Sequence, residues 1–163
     1  MLKILRQSGL SFLWVSFLVL GMDRYAKYWV MQNLSFAEPL RILPIFNLTL
    51  AYNTGAAFSF LHQASGWQNI FLGGLAFVVS VGILFVLAKS SSQKRWMNVA
   101  FCFILGGALG NAWDRILYGY VIDFFDFHLG HWHYAIFNTA DSAICIGAFM
   151  LMIEWLVFDK KQG

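Results

Sequence analysis

Four long apolar runs divide the chain, over residues 10–31, 67–88, 96–117 and 136–158. Each holds about 22 residues, which as a helix reaches roughly 33 Å and crosses a hydrocarbon core. The second run carries no charge at all. The first is interrupted near its end by Asp23, Arg24 and Lys27, the third by Asn111, Asp114 and Arg115, and the fourth by Asp141 early and Glu154 late. Between the first two runs, residues 33–66 are too many for a simple turn. Alternation around Leu48, Leu50 and Tyr52, followed by Asn53-Thr54-Gly55, predicts a small strand-rich element resting on the membrane. The connection 118–135 is dense in aromatic rings, which favour the bilayer interface: Phe124, Phe125, Phe127, Trp132 and Tyr134. The predicted fold is an all-α membrane protein of one domain, 1–163. It has four transmembrane helices and a small periplasmic β-rich element between helices 1 and 2.

Composition agrees with the pattern. The chain is 60% hydrophobic and only 12% charged, with a mean hydropathy of +0.64. Soluble domains carry about a quarter charged residues, so these charges cannot coat a water-facing surface. The first run resembles a signal peptide, with Lys3 and Arg6 ahead of it. However, Asp23, Arg24 and Tyr25 stand where a small-x-small cleavage site would be needed. It is read as a retained helix.

A formal charge of +3 could suggest nucleic acid, but the basic residues fall elsewhere. Lys3 and Arg6 precede helix 1, Lys89, Lys94 and Arg95 fill the loop between helices 2 and 3, and Lys160 and Lys161 follow helix 4. That asymmetry predicts both termini in the cytoplasm. Cys102 and Cys145 both lie in apolar runs and read as packed thiols, not a disulfide.

The acids carry the chemistry. Asp23, Asp114, Asp123 and Asp141 map to the outer ends of helices or the loop beside them. Asp141 is expected about five residues into helix 4, and Asp123 about six past the end of helix 3, so the two can meet just below the outer interface. Ionisable groups at membrane depth are costly and are functional candidates. Two carboxylates that meet resist double ionisation and share a proton near neutral pH, which suits peptide hydrolysis. Spacing alone leaves open that each Asp merely caps a helix or reaches for the headgroups.

Helical spacing groups the other polar residues. Asn111, Asp114 and Arg115 share one face of helix 3, Asn138 and Asp141 stand at i and i+3, and Asp23 and Lys27 at i and i+4 can pair. Such a stripe also serves as hydrogen-bonding glue between helices. His128, His131 and His133 could hold zinc. Against that, the loop is aromatic, no His-Glu-x-x-His is present, and a fourth ligand must be borrowed. No Gly-x-Ser-x-Gly elbow supports a serine nucleophile.

Five blocks together are similar to one family. They are Asp23-Arg24-x-x-Lys27, residues 52–59 (Tyr-Asn-Thr-Gly-Ala-Ala-Phe-Ser), residues 106–115 ending Asn111-Ala112-Trp113-Asp114-Arg115, Val121-Ile122-Asp123-Phe124, and Phe137-Asn138-Thr139-Ala140-Asp141-Ser142. In this order on four helices, the chain resembles the lipoprotein signal peptidases, or signal peptidase II, over essentially its whole length. The resemblance implies an aspartic endopeptidase of the bacterial inner membrane whose dyad is Asp123 and Asp141. The implied supporting residues are Asp23, Lys27, Asn53, Gly55, Asn111, Asp114, Arg115 and Asn138. It implies a prolipoprotein substrate carrying a diacylglyceryl-modified cysteine, cleavage just before that cysteine, contact with membrane lipid, inhibition by globomycin, and no metal or organic cofactor. A proton channel would want polar residues through the full depth of the bundle, and helix 2 has no charge. Presenilin-type peptidases carry Gly-x-Gly-Asp, where this chain has Val121-Ile122 before Asp123. A non-catalytic scaffold would tolerate Asp to Asn changes.

Overall fold

The computed structural model describes residues 7–55, 67–130 and 132–158. Lys3, Arg6, Lys160, Lys161, His62, His131 and positions 56–59 of the second sequence block lie outside them. A 3₁₀ turn, Gly9–Phe12, leads into helix α1, Leu13–Asn33. Strands β1 (Pro39–Leu43) and β2 (Phe46–Asn53) follow, then helices α2 (Trp67–Lys89) and α3 (Arg95–Tyr118). Strands β3 (Val121–Leu129) and β4 (Trp132–His133) lead to α4 (Thr139–Ile153), which ends in a π-helical turn, Glu154–Phe158.

Helix α3 is the centre of the bundle and touches α1, α2 and α4. Half of its most apolar stretch is buried, against 17% for α2 and for α4, which leave the rest of their surface to lipid. Ile70, Phe71, Phe77, Val78 and Phe85 of α2 are all exposed, as expected of a helix whose solvent is hydrocarbon. Helix α1 buries a stripe of Val15, Ser16, Val19, Asp23, Lys27 and Val30, the three-and-four spacing of one helical face. Close packing of α1 on α3 needs glycine. A Cβ on Gly106 would stand 2.8 Å from the Ser16 carbonyl oxygen, and one on Gly110 2.7 Å from Asp23 Oδ2. The small-residue run on α3 therefore lets α1 approach closely enough for its carboxylate to reach across.

Helices α2, α3 and α4 are long and apolar enough to cross a membrane. Helix α1, at 21 residues, has the length, but Asp23, Arg24 and Lys27 interrupt its apolar surface.

The β-rich element is larger than predicted and is not confined to the connection between helices 1 and 2. Four strands form one antiparallel sheet in the order β1-β2-β3-β4, so the connection between α3 and α4 supplies half of it. Backbone groups explain why. A 20-residue return from α3 to α4 must satisfy its N–H and C=O groups somewhere, and pairing with β2 does so. The register sets Ala51 opposite Asp123 and Asn53 opposite Val121, with an irregularity between Leu48 and Ala51.

Helix α4 also starts later than expected, at Thr139 instead of 136, because Phe137 is still paired in the sheet. Its N–H donates to the Phe125 carbonyl, and its own carbonyl accepts from the N–H groups of Phe124 and Phe125. Asn138 then caps the helix in a reciprocal capping box with Asp141. Asp141 is thus the third helical residue and belongs to the helix start, not to its second turn. Cys102 is buried and Cys145 exposed, and both are free thiols.

Candidate active site

Helix α1 contributes the charges at the base of the site. Lys27, 1% exposed, places Nζ 3.0 Å from Asp23 Oδ2, 2.7 Å from Asp114 Oδ2 and 3.1 Å from Asn111 Oδ1. An ammonium has three donors, and all are used. Arg24 closes the ring from the other side, with Nη2 2.7 Å from Asp23 Oδ2 and Nη1 2.6 Å from Asp114 Oδ1. Two cations and two fully buried carboxylates therefore neutralise one another, which is the condition for keeping charge out of water. Asp23 Oδ1 accepts from Thr139 Oγ1 at 2.6 Å and from the Ala140 N–H at 3.0 Å. A carboxylate at a helix N-terminus is favourably placed in the dipole field of α4. Asp114 Oδ2 accepts from the Ile122 N–H at 3.2 Å and so anchors the residue next to Asp123.

From this base a chain of amides leads to the two acids. Asn111 Oδ1 faces Lys27, a pure donor, so its Nδ2 must point the other way; it donates to Asp141 Oδ1 at 2.7 Å. Asn138 Nδ2 donates to Asn111 Oδ1 at 3.2 Å and to Asp123 Oδ1 at 2.6 Å. The backbone N–H of Asn138 donates to Asp141 Oδ2 at 3.2 Å. One residue therefore holds both Asp123 and Asp141. Asn53 supplies the remaining donor, Nδ2 to Asp123 Oδ2 at 2.9 Å. Its orientation comes from the turn after β2, where the Gly55 N–H donates to Asn53 Oδ1 at 2.9 Å. Gly55 has φ +100°, a backbone conformation costly for any side chain.

Asp123 is 2% exposed. Burial pushes its carboxyl up to about 7; the Asn53 hydrogen bond opposes this, the Asp141 charge adds to it, and Asn138 and Lys27 oppose it. A buried carboxyl that holds a proton near neutrality, beside a second carboxyl, is the arrangement acid–base chemistry needs.

Arg115 differs from its neighbours. It lies within electrostatic reach of Asp141, Asp123 and Asp114, yet among the described residues it forms no ion pair, because Asp114 is already held by Arg24 and Lys27. Nη1 makes a 3.4 Å contact with the Asn111 carbonyl. Beside it, Arg115, Asn69, Ile70, Gly73, Gly74 and Ile116 line an apolar cleft of about 310 Å³.

All ten residues singled out from the sequence fall in this region. Asp23, Lys27, Asn53, Gly55, Asn111, Asp114, Asp123, Asn138 and Asp141 are joined by hydrogen bonds and ion pairs, with Arg115 at the edge. Arg24 and Thr139 were not singled out as site residues, although each stands beside one that was. Two of the three histidines are described, and they have other partners. His133 Nδ1 is 2.8 Å from Asp126 Oδ1, His128 stacks on His133 with ring centroids 5.2 Å apart, and His131 lies outside the described residues. Among the described residues no three of His, Cys, Asp and Glu form a metal-binding group.

The family described as Signal peptidase (SPase) II matches residues 15–157. The chain belongs to the signal peptidase II family. The lipoprotein signal peptidase of Alteromonas mediterranea is 51% identical over all of this chain and 90% of its own length. That of Actinobacillus succinogenes is 48% identical, with 97% of each chain covered, and that of Yersinia enterocolitica 45%, with 99% and 96% covered. A bacterial membrane enzyme solved by the in meso method at 2.3 Å superposes with a TM-score of 0.82 at 27% identity, covering 94% of this chain and 92% of that one. Membership makes the chain a membrane-bound peptidase.

Proposed function

We propose that the protein is an aspartic endopeptidase that removes the signal peptide from diacylglyceryl-modified prolipoproteins, cutting just before the lipidated cysteine. The observation that carries this reading is Asn138, whose amide and backbone N–H hold Asp123 and Asp141 together. The names of the relatives supply the substrate class. The chain is one domain, 1–163. All four helices span the bacterial inner membrane, α1 included, because its charges are paired with Asp114. Both termini lie in the cytoplasm, and the acids face the outer side, where a lipidated cysteine is anchored.

In the reaction, ionised Asp141 takes a proton from a water molecule as its oxygen attacks the scissile carbonyl carbon. Protonated Asp123 donates to the carbonyl oxygen. As the tetrahedral intermediate collapses, the C–N bond breaks, Asp141 passes the proton taken from water to the leaving amine of the lipidated cysteine, and a hydroxyl of the intermediate returns its proton to Asp123, which restores both acids. Asp23, Lys27, Asn111, Asp114 and Asn138 hold the two acids, and Asn53 and Gly55 aim the donor on Asp123. Arg115, with guanidinium donors to spare, takes a substrate carbonyl, and the apolar cleft beside it takes signal-peptide or lipid surface from the bilayer. A globomycin-type peptide competes for the same site.

The pH dependence tests the assignment. With Asp141 charged, the proton on Asp123 leaves near pH 7. Cleavage should therefore fall as pH rises through about 7, by about tenfold per unit above it. Initial rates of the purified enzyme on a diacylglyceryl-modified prolipoprotein measure this. A rate that stays flat for about two units above that value would remove Asp123 from the acid role.

A further inference from the structure

A second carboxylate, Asp126, lies on β3 with Asp123 and is 2% exposed. Asp126 Oδ2 accepts from Thr49 Oγ1 at 2.9 Å and from Asn47 Nδ2 at 3.4 Å, both on β2. Its Oδ1 meets His133 Nδ1 of β4 at 2.8 Å. Asn47 and Thr49 are buried, and the His133 side chain is half-exposed. Nothing in the chemistry above uses this cluster.

The strands it ties are the strands of the site. Strand β2 runs on from Thr49 to Asn53, the donor to Asp123 Oδ2. The return from His133 runs on to Asn138, the donor to Asp123 Oδ1. Backbone pairing fixes both ends next to the site, Asn53 opposite Val121 and Phe137 on Phe124 and Phe125, but is weaker further back along each strand. The β2–β3 ladder is irregular between Leu48 and Ala51, just where it must carry Asn53 to Asp123. Strand β4 has two residues and pairs only through His128–His133 and Leu129–Trp132. Asp126 spans the irregular stretch of β2 through Thr49 and adds a side-chain bond to the short β4 through His133.

We infer that Asp126 is a positioning residue, a clamp that keeps Asn53 and Asn138 in hydrogen-bonding position on Asp123. The inference rests on Asp123 acting as proposed above. The two carboxylates of β3 are driven in opposite directions. Burial works to raise Asp126 as it raises Asp123, but the hydrogen bonds from His133, Thr49 and Asn47 outweigh it and hold Asp126 below the usual range. The groups facing Asp126 are Asn47 and Thr49 from β2 and His133 from β4. Those facing Asp123 are Asn53, Asn138, Asp141 and Lys27, with Arg115 at longer range. Asn53 and Asn138 both favour the ionised form of Asp123. Slackening them must let its carboxyl rise further.

The test is the pH profile of the full-length enzyme on a diacylglyceryl-modified prolipoprotein. In Asp126→Ala the alkaline limb should move up by about one pH unit, with a lower maximal rate. Thr49→Val and His133→Ala each cut one tie and should give smaller shifts in the same direction. Asp126→Asn keeps an acceptor oxygen and should restore most of the wild-type limb. A merely structural role would lower the yield and the unfolding midpoint and leave the limb where it is. Superimposable limbs in wild type and Asp126→Ala overturn the inference while the peptidase reading stands. If Asp126→Ala does not fold, unshifted limbs in Thr49→Val and His133→Ala overturn it equally. A wild-type enzyme that leaves the substrate uncut defeats the underlying reading instead.

Discussion

Asp123→Asn and Asp141→Asn should each abolish cleavage while leaving the chain folded and able to bind substrate. Asparagine keeps the shape of the side chain and one acceptor oxygen, so one of the two donors on each acid, Asn53 or Asn138 on residue 123 and Asn111 or the Asn138 N–H on residue 141, keeps its partner. Asparagine can neither hold nor pass the proton. On the proposed mechanism Asp141→Asn removes the base that activates water, and Asp123→Asn removes the acid that protonates the carbonyl oxygen. General acid–base catalysis contributes about 10²–10⁴-fold per group, and groups that act as a unit fail together. Either variant should therefore lose at least about a thousandfold in kcat, with substrate affinity within a few-fold of wild type. Single-turnover cleavage of a diacylglyceryl-modified prolipoprotein, with binding measured separately, gives both quantities. Residual turnover within about tenfold of wild type in either variant is incompatible with an acid–base pair.

Lys27→Met should be the most destabilising single change in the bundle. Methionine fills much the same volume but removes the cation from between Asp23 and Asp114, both of which are fully buried. The ring is left with two carboxylates and one guanidinium, and Asn111 Oδ1 loses one of its two donors, keeping Asn138. Breaking a buried ion pair by deleting one partner costs about 3–5 kcal/mol. Thermal unfolding in detergent should show a correspondingly lower midpoint. The double variant Lys27→Met, Asp114→Asn restores charge balance and should lose less than the two single changes added together. A wild-type midpoint in Lys27→Met would mean that the ring is not closed as described.

Local pattern reached the helical half of the site. Asp23 and Lys27, spaced i and i+4, do form an ion pair, and Asn138 and Asp141, spaced i and i+3, form the capping box. Asn111 and Asp114 turn inward together, as their spacing on α3 required. The resemblance, not the spacing, supplied Asn53 and Gly55, because a strand register connects them to Asp123 across 70 positions. For the same reason Asp126 escaped notice. Its partner Thr49 is 77 positions away, and His133, seven positions on, reaches it only when β4 folds back on β3. The late start of α4 has a related cause. Ile136 and Phe137 read as apolar helix, but sheet pairing holds Phe137 until Asn138 can cap. Arg24 stands next to Asp23 and on a different helical face, so helical spacing did not group it with Asp114. The length of the side chain overrides that, and Nη1 makes the contact.

The most direct test of the central claim is the mass of the products that the purified enzyme makes from one prolipoprotein, with and without the diacylglyceryl group and with and without EDTA. The expected result is a single cut immediately before the lipidated cysteine, in the modified substrate only and undiminished by the chelator, because the proposed mechanism activates the water with Asp141 and the carbonyl with Asp123. Cleavage at another bond, equal cleavage of the unmodified chain, or loss of cleavage in EDTA would contradict it.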